Sequence, residues 1–251
     1  MMIDTHCHLD LEEYEDLNLV IKNMEDNIMI ASGCNRKTNE QVISLVNKYD
    51  NIYGTIGIHP SEYDDMNEEN LKFLEENLQN SKIVGIGEIG LDYHWDDIDK
   101  DKQREFFIKQ LLLANKYKKT VVIHSRDAAM ETYDILKEYL NGNKVVLHCF
   151  SYSLEIAKLY QNLGAKFGIG GVITFKNSNK LKKVVEEIDI KDILLETDSP
   201  YLTPEPFRGQ RNEPKNVYLV AAEIAKIKNI SVEKVLESTA NNACAQFDLD
   251  I

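Results

Sequence analysis

Short apolar, β-branched runs recur roughly every 20 to 35 residues along this chain, and that spacing restricts its fold more than any other feature. The runs are Met2–Thr5, Ile28–Ser32, Ile52–Ile56, Ile83–Ile86, Thr120–Ile123, Lys144–Leu147, Ala165–Ile169 and Ile193–Leu195. Each is short enough for a buried strand. Between them apolar residues repeat at helical intervals, as in Leu17, Val20, Ile21 and Met24, in Val42, Leu45, Val46 and Tyr49, and in Leu181, Val184, Val185 and Ile188. Eight strands alternating with helices in 251 residues predict an α/β chain folded as a distorted (β/α)8 TIM barrel, a single domain over residues 1–251. A doubly wound open sheet is the rival.

The position of the polar residues decides between the two. His6 and His8 close the first run, His59 follows the third, and Glu88 ends the fourth. His124 ends the fifth, His148 the sixth, and Asp198 follows the eighth. A barrel brings the carboxyl ends of all its strands to one face, so residues far apart in sequence can share a site there. An open sheet would disperse them. The run from Asp198 to Pro214, with Pro200, Pro204, Pro206 and Gly209 inside it, is expected to be a rigid loop over the barrel mouth. Pro214 is expected to open the next helix, and Ser231 to cap a last helix reaching about Phe247.

Extended backbone points alternate side chains the same way, so the His6-x-His8 pair can present both imidazoles to one metal ion. A lone pair of this kind is often only a solvated strand end. Six imidazole and carboxylate groups, His6, His8, Glu88, His124, His148 and Asp198, each at or just after an apolar run, make a donor set suited to divalent ions. Cys7, Cys34, Cys149 and Cys244 lack metal-knuckle spacing and are expected to be reduced packing thiols.

Composition limits the partners. The formal charge is −13, with 29 Lys and Arg against 42 Asp and Glu, which repels a nucleic-acid backbone over most of the surface. A phosphate ligand therefore needs a local positive site. No run approaches the roughly 18 apolar residues of a membrane span, and the first residues do not resemble a secretory signal, so the expectation is a cytoplasmic chain with no membrane contact and no obligate protein partner.

Seven motifs resemble those of the TatD family of metal-dependent deoxyribonucleases, within the amidohydrolase superfamily. They are Asp4-Thr5-His6-Cys7-His8-Leu9-Asp10, Gly57-Ile58-His59-Pro60, Gly87-Glu88-Ile89-Gly90-Leu91-Asp92, Ile123-His124-Ser125-Arg126, His148-Cys149-Phe150-Ser151, Glu196-Thr197-Asp198-Ser199-Pro200-Tyr201-Leu202 and Arg208-Gly209-Gln210-Arg211-Asn212-Glu213-Pro214. The resemblance runs from about residue 2 to 247. It implies two divalent metal ions (Zn, Mn, Co or Mg), one held by His6, His8 and Glu88 and the other by Glu88, His124 and His148, with Glu88 bridging. Asp198 would bind metal and orient the attacking water. The implied substrate is DNA, at single-stranded ends. Ala245 and Gln246 depart from the family's last helix, where a basic and an apolar residue are usual.

The chemistry such a set supports is hydrolysis of an anionic ester. Two cations offset the charge that repels a nucleophile from a phosphodiester, and a carboxylate beside them, here Asp198, can take the water proton. Glu88, with two oxygens, suits the bridge. Arg208 and Arg211 are candidates for gripping phosphate, against a simpler reading in which they pair with Glu205 or Glu213. His59 on the same rim is a further substrate contact. Lys176 reads as a solvated lysine, His94 as a rim residue, and Trp95 as a candidate base-stacking platform. Arg126 and Glu196 are candidates for orienting ligands, against a reading in which they form a buried ion pair near the barrel rim. Removal of an aminoacyl group from tRNA is the alternative hydrolysis, and a non-catalytic binding barrel is the third reading.

Overall fold

The structure is a computed structural model and describes residues 1–10 and 12–250. In chain order it contains β1 (Ile3–Cys7), α1 (Leu17–Lys22), β2 (Ile28–Ser32), α2 (Arg36–Lys48), β3 (Ile52–Ile56), α3 (Glu68–Asn77), β4 (Ile83–Asp92) and α4 (Lys100–Tyr117). There follow β5 (Thr120–Arg126), α5 (Ala129–Tyr139), β6 (Val145–Leu147), α6 (Leu154–Gln161), β7 (Lys166–Ile169), α7 (Asn179–Glu187), β8 (Ile193–Leu195), α8 (Val217–Lys228) and α9 (Val232–Phe247). The strands take the order β1 to β8, alternating with helices, and the fold class is the expected (β/α)8. Two compact units make up the chain: residues 1–31 with 149–251, and residues 32–148.

In the unit of residues 32–148, β3, β4, β5 and β6 pair in parallel. β4 continues to Asp92, beyond the expected end at Ile86, because Ile89 and Leu91 are wholly buried and extend the ladder with β5. The ladder steps from Ile86↔Val121 to Ile89↔Ile123, so β4 carries one extra residue at Gly87–Glu88. Such a bulge re-aims the side chain at that point, and here the side chain is Glu88. Gly90 then takes a φ of +139°, and a β-carbon there would lie 2.0 Å from the His124 carbonyl oxygen, so only glycine lets the two strands approach this closely.

Three buried amides fix the strand ends of this unit. Asn39 of α2 donates to the Gly57 carbonyl (2.7 Å) and accepts from the Gly57 N–H (3.0 Å). From α4, Gln110 does the same for Ile58 (3.1 and 2.7 Å) and Gln103 for Asp92 (3.0 and 2.9 Å). Each amide satisfies one backbone donor and one acceptor where the chain leaves the sheet, groups that are costly to bury unpaired.

In the unit of residues 1–31 and 149–251, β1 pairs with β2 and β7 with β8. β1 also holds one extra residue, between Asp4↔Met29 and Cys7↔Ala31, which is the stretch containing His6. The proline-rich run after β8 is pinned as expected of a rigid loop. Asn212 donates to the carbonyls of Thr197 (3.0 Å) and Tyr201 (2.7 Å), the Glu205 N–H donates to Thr174 Oγ1 (2.8 Å), and Tyr14 donates to the Asn212 carbonyl (2.7 Å). Pro214 opens a 3-10 turn that runs into α8, and the Ser231 hydroxyl accepts the Lys234 N–H (3.1 Å) to cap α9.

Candidate metal centre

Glu88 is the focus of the unit of residues 32–148. Its Oε1 lies 2.8 Å from His124 Nδ1, 3.0 Å from His148 Nε2 and 3.6 Å from His59 Nε2, while its Oε2 accepts from the Cys34 thiol at 3.7 Å. Glu88 and His124 lie within β4 and β5, His59 and His148 follow β3 and β6, Cys34 follows β2, and Glu88 is only 4% exposed. Donor atoms of His59, Glu88 and His124 lie within 4.8 Å of one another, and imidazole nitrogen with carboxylate oxygen fits a divalent cation.

Burial by itself would raise the Glu88 pKa. The charge of His148 and the hydrogen bonds from His124 and His148 outweigh it and hold the carboxyl well below the usual range. Burial pushes His59 down to about 4, so it is neutral at physiological pH and His124 with His148 supply the hold on Glu88. Burial also works against charge on His124, but hydrogen bonds to Asp92 and Glu88 prevail and raise its pKa.

The tautomer of His59 follows from its surroundings. Its Nδ1 accepts the Ser61 N–H (3.1 Å) and lies 2.7 Å from the Ser61 hydroxyl. A neutral ring with Nδ1 as acceptor carries its proton on Nε2. That N–H faces Glu88 Oε1 at 3.6 Å, so in this tautomer His59 is a hydrogen-bond donor and Glu88 with His124 offer the cation donors of this group.

The other donor set lies in the unit of residues 1–31 and 149–251. His6 Nε2 and His8 Nε2 converge at 3.3 Å, as the His-x-His spacing predicts, and Asp198 Oδ1 lies 3.3 Å from His8 Nε2 and 3.8 Å from His6 Nε2. Asp198 sits in the left-handed region at φ 55° and donates its N–H to the His6 carbonyl (3.0 Å). Beneath, fully buried Asp4 accepts from the Thr197 hydroxyl (2.6 Å) and N–H (3.0 Å). Burial lifts the Asp4 carboxyl well above its ordinary pKa against those bonds.

Of the other residues singled out in the sequence, Arg211 takes the structural reading, with a partner that local spacing did not suggest. Its Nη1 lies 2.7 Å and its Nη2 3.0 Å from the two oxygens of Asp16, with Glu213 at 3.5 Å, and its guanidinium covers the Tyr14 ring at 4.6 Å. Arg208 is exposed, stacked on Phe175 at 4.1 Å, and among the described residues makes no ion pair. Glu196 is completely buried and accepts the Cys149 N–H at 2.6 Å, which fixes the backbone next to a proposed ligand. Arg126 is exposed and stands over the Trp95 ring at 5.9 Å. Cys7 is a packing thiol, donating to the Ile30 carbonyl at 3.6 Å.

Two participants went unassigned in the sequence reading. Asp92 Oδ2 is 3.1 Å from His124 Nε2, and Cys34 lies against Glu88. The four-residue spacing of Glu88 and Asp92 along one strand was the available signal for the first. Nothing local marks Cys34.

The profile of the family described as TatD related DNase matches residues 3–248. The chain belongs to the TatD family. It is 41% identical over 258 residues to the uncharacterized metal-dependent hydrolase YabD of Bacillus subtilis strain 168, covering 100% of both chains. It is 33% identical over 261 residues to the uncharacterized metal-dependent hydrolase YcfH of Escherichia coli K12, covering 99% of this chain and 96% of YcfH. The crystal structure of YjjV, a TatD homologue from Escherichia coli K12, matches with a TM-score of 0.93 at 29% identity, over 99% of this chain and 98% of YjjV. This TatD protein is thus a metal-dependent hydrolase of the (β/α)8 class. No helix among its described residues is long and apolar enough to cross a membrane. Where it departs from the family's last helix, Gln246 is buried and Ala245 exposed on α9.

Proposed function

We propose that this TatD protein is a deoxyribonuclease that hydrolyses phosphodiester bonds at single-stranded DNA ends, with two divalent cations held by His6, His8, Glu88, His124, His148 and Asp198. The observation that carries the reading is one carboxylate oxygen, Glu88 Oε1, faced by three imidazole nitrogens at 2.8, 3.0 and 3.6 Å. A buried carboxylate so surrounded is built to share cationic charge. Glu88 is assigned the bridging place.

When bound, such a cation pair neutralises phosphate charge and makes water a stronger acid. The side chains divide the remaining tasks. Asp198, anchored through its N–H to the His6 carbonyl, takes the proton from the attacking water. His59 donates its Nε2 proton to a non-bridging phosphate oxygen. Arg208 grips a phosphate along the strand, since among the described residues it has no acidic partner to leave. Arg211 is assigned to holding the loop through Asp16. Four cysteines in no disulfide and a formal charge of −13 suit a reducing cytoplasm as the working place.

The test is cleavage of single-stranded oligonucleotides labelled at the 5′ or the 3′ end by the metal-loaded protein. Shortening from one labelled end, lost in Glu88→Gln and in Asp198→Asn, is the expected result, and the end consumed gives the polarity. Intact DNA together with release of amino acids from charged tRNA would replace this reading by ester hydrolysis. Oligonucleotide binding without hydrolysis of either substrate would leave only a binding role.

A further inference from the structure

Trp95 is the only tryptophan of the chain and is 62% exposed. It is also the one aromatic among the large exposed apolar side chains of residues 32–148; the others are Leu112 and Met130, which lie on helices. Past the end of β4, the indole keeps a large flat apolar surface available to a ligand.

Its surroundings indicate which ligand. The Arg126 guanidinium stands over the Trp95 ring at 5.9 Å, and the His94 ring meets it edge-on at 5.0 Å. His94 is held in place by Asp127, 3.1 Å from its Nδ1. Among the described residues Arg126 makes no ion pair, so its charge remains available to an anion. Both residues are tied to the Glu88 centre by backbone. Asp92 pairs with Arg126 across β4 and β5, the Tyr93 N–H donates to the Arg126 carbonyl (2.9 Å), and the His94 N–H donates to Asp92 Oδ1 (3.0 Å). Trp95 lies three positions beyond Asp92, a reach of about 11 Å at most.

We propose that Trp95 and Arg126 form a nucleotide subsite beside the metal centre, in which a nucleobase next to the reacting phosphate stacks on the indole while Arg126 holds the phosphate between them. This rests on the nuclease reading and adds a requirement for the base. Charge orients the strand. Asp96, Asp97 and Asp99 are exposed and next to Trp95 in sequence and disfavour phosphate near them, whereas Arg126 attracts it, so the sugar-phosphate chain is assigned to the Arg126 side of the indole. Stacking of this kind tolerates any base, because every base has a π-face.

The single tryptophan makes the test direct. Zinc-loaded Asp198→Asn protein, which should bind without turnover, is titrated with a 5′-labelled oligothymidylate and with an abasic tetrahydrofuran oligomer of equal length. Label anisotropy and tryptophan emission are read together. Thymidylate should quench the emission and bind about tenfold more tightly than the abasic chain. In steady-state cleavage, Trp95→Ala should raise KM about tenfold with little change in kcat, and Trp95→Phe should recover most of the loss. Binding with unchanged emission, or equal affinity for the two oligomers, overturns the subsite and leaves the nuclease reading standing. Failure of the unsubstituted protein to bind or cleave any oligonucleotide overturns both.

Discussion

Asp92 Oδ2 and Glu88 Oε1 lie on opposite edges of the His124 ring, 3.1 Å from Nε2 and 2.8 Å from Nδ1. The ring is therefore oriented from behind by one carboxylate and offered to the centre at its other nitrogen, an arrangement that fixes the tautomer of a metal-ligating histidine and raises its basicity. Asp92→Asn keeps the shape and removes the charge. The expected result is a 10- to 100-fold loss of zinc or manganese affinity, read by competition with a chromophoric chelator, while the far-UV spectrum stays unchanged. Unaltered affinity would mean that Asp92 does not steer His124.

The two loop arginines should separate experimentally. Arg208 makes no ion pair among the described residues, so Arg208→Ala is expected to raise KM for oligonucleotides several-fold and to make binding less dependent on salt, because one phosphate contact is lost. Arg211 is spent on Asp16 and Tyr14. Arg211→Ala should leave the salt slope where it is and instead make the loop after β8 easier to cleave with protease. The opposite pattern would assign phosphate binding to Arg211.

His59 gives the metal-free protein a pH dependence of definite sign. Its folded pKa of about 4 lies below the ordinary histidine value near 6.5, because burial disfavours the charged ring. Between those values the unfolded chain binds the proton and the folded chain does not, so stability rises with pH across the interval and falls as the solution is acidified through it. The change is on the order of 2–3 kcal/mol. His124, with a raised pKa, acts oppositely, its contribution being complete below the unfolded value and fading as pH rises through the folded one. Denaturant unfolding of chelated His59→Gln and parent protein from pH 4 to 8 isolates the first effect. The difference between the two curves should slope between pH 4 and 6.5 and be flat above it, and a flat difference throughout would disprove the assignment.

The eight strands were legible because each is a contiguous apolar run, and burial of both faces leaves little room for polar residues except at the ends. That same cue understated β4. Glu88 looks like a terminus by polarity, whereas the chain accommodates it with a bulge and pairs on to Asp92. His6 and His8 could be placed on one side of the backbone from a period of two alone, and their nitrogens do converge at 3.3 Å. Arg211 was different in kind. Its nearer partner Asp16 lies 195 positions away, so local spacing could suggest Glu213, which does stand at 3.5 Å, but not the residue that holds the guanidinium most closely. Cys34 reaches Glu88 through the same kind of distant encounter, which periodicity does not encode. The buried amides Asn39, Gln103 and Gln110 occupy positions on helices where a sequence reading sees only ordinary polar residues.

Those amides predict where rigidity originates. Gln110 satisfies both the N–H and the carbonyl of Ile58, a residue 1% exposed that immediately precedes His59. Gln110→Met keeps most of the side-chain volume and removes both bonds, so it tests hydrogen bonding rather than a cavity. Two buried backbone groups left unpaired should cost about 2–4 kcal/mol, and for a chain of this length the thermal midpoint should fall by roughly 5–15 °C. Because the lost clamp frees the strand end carrying His59 and leaves Glu88, His124 and His148 in place, KM for the oligonucleotide should rise while metal content per chain stays unchanged. A midpoint within a degree of the parent would show that the two bonds add no stability, and loss of metal with KM preserved would show that α4 supports the ligands and not the substrate contact.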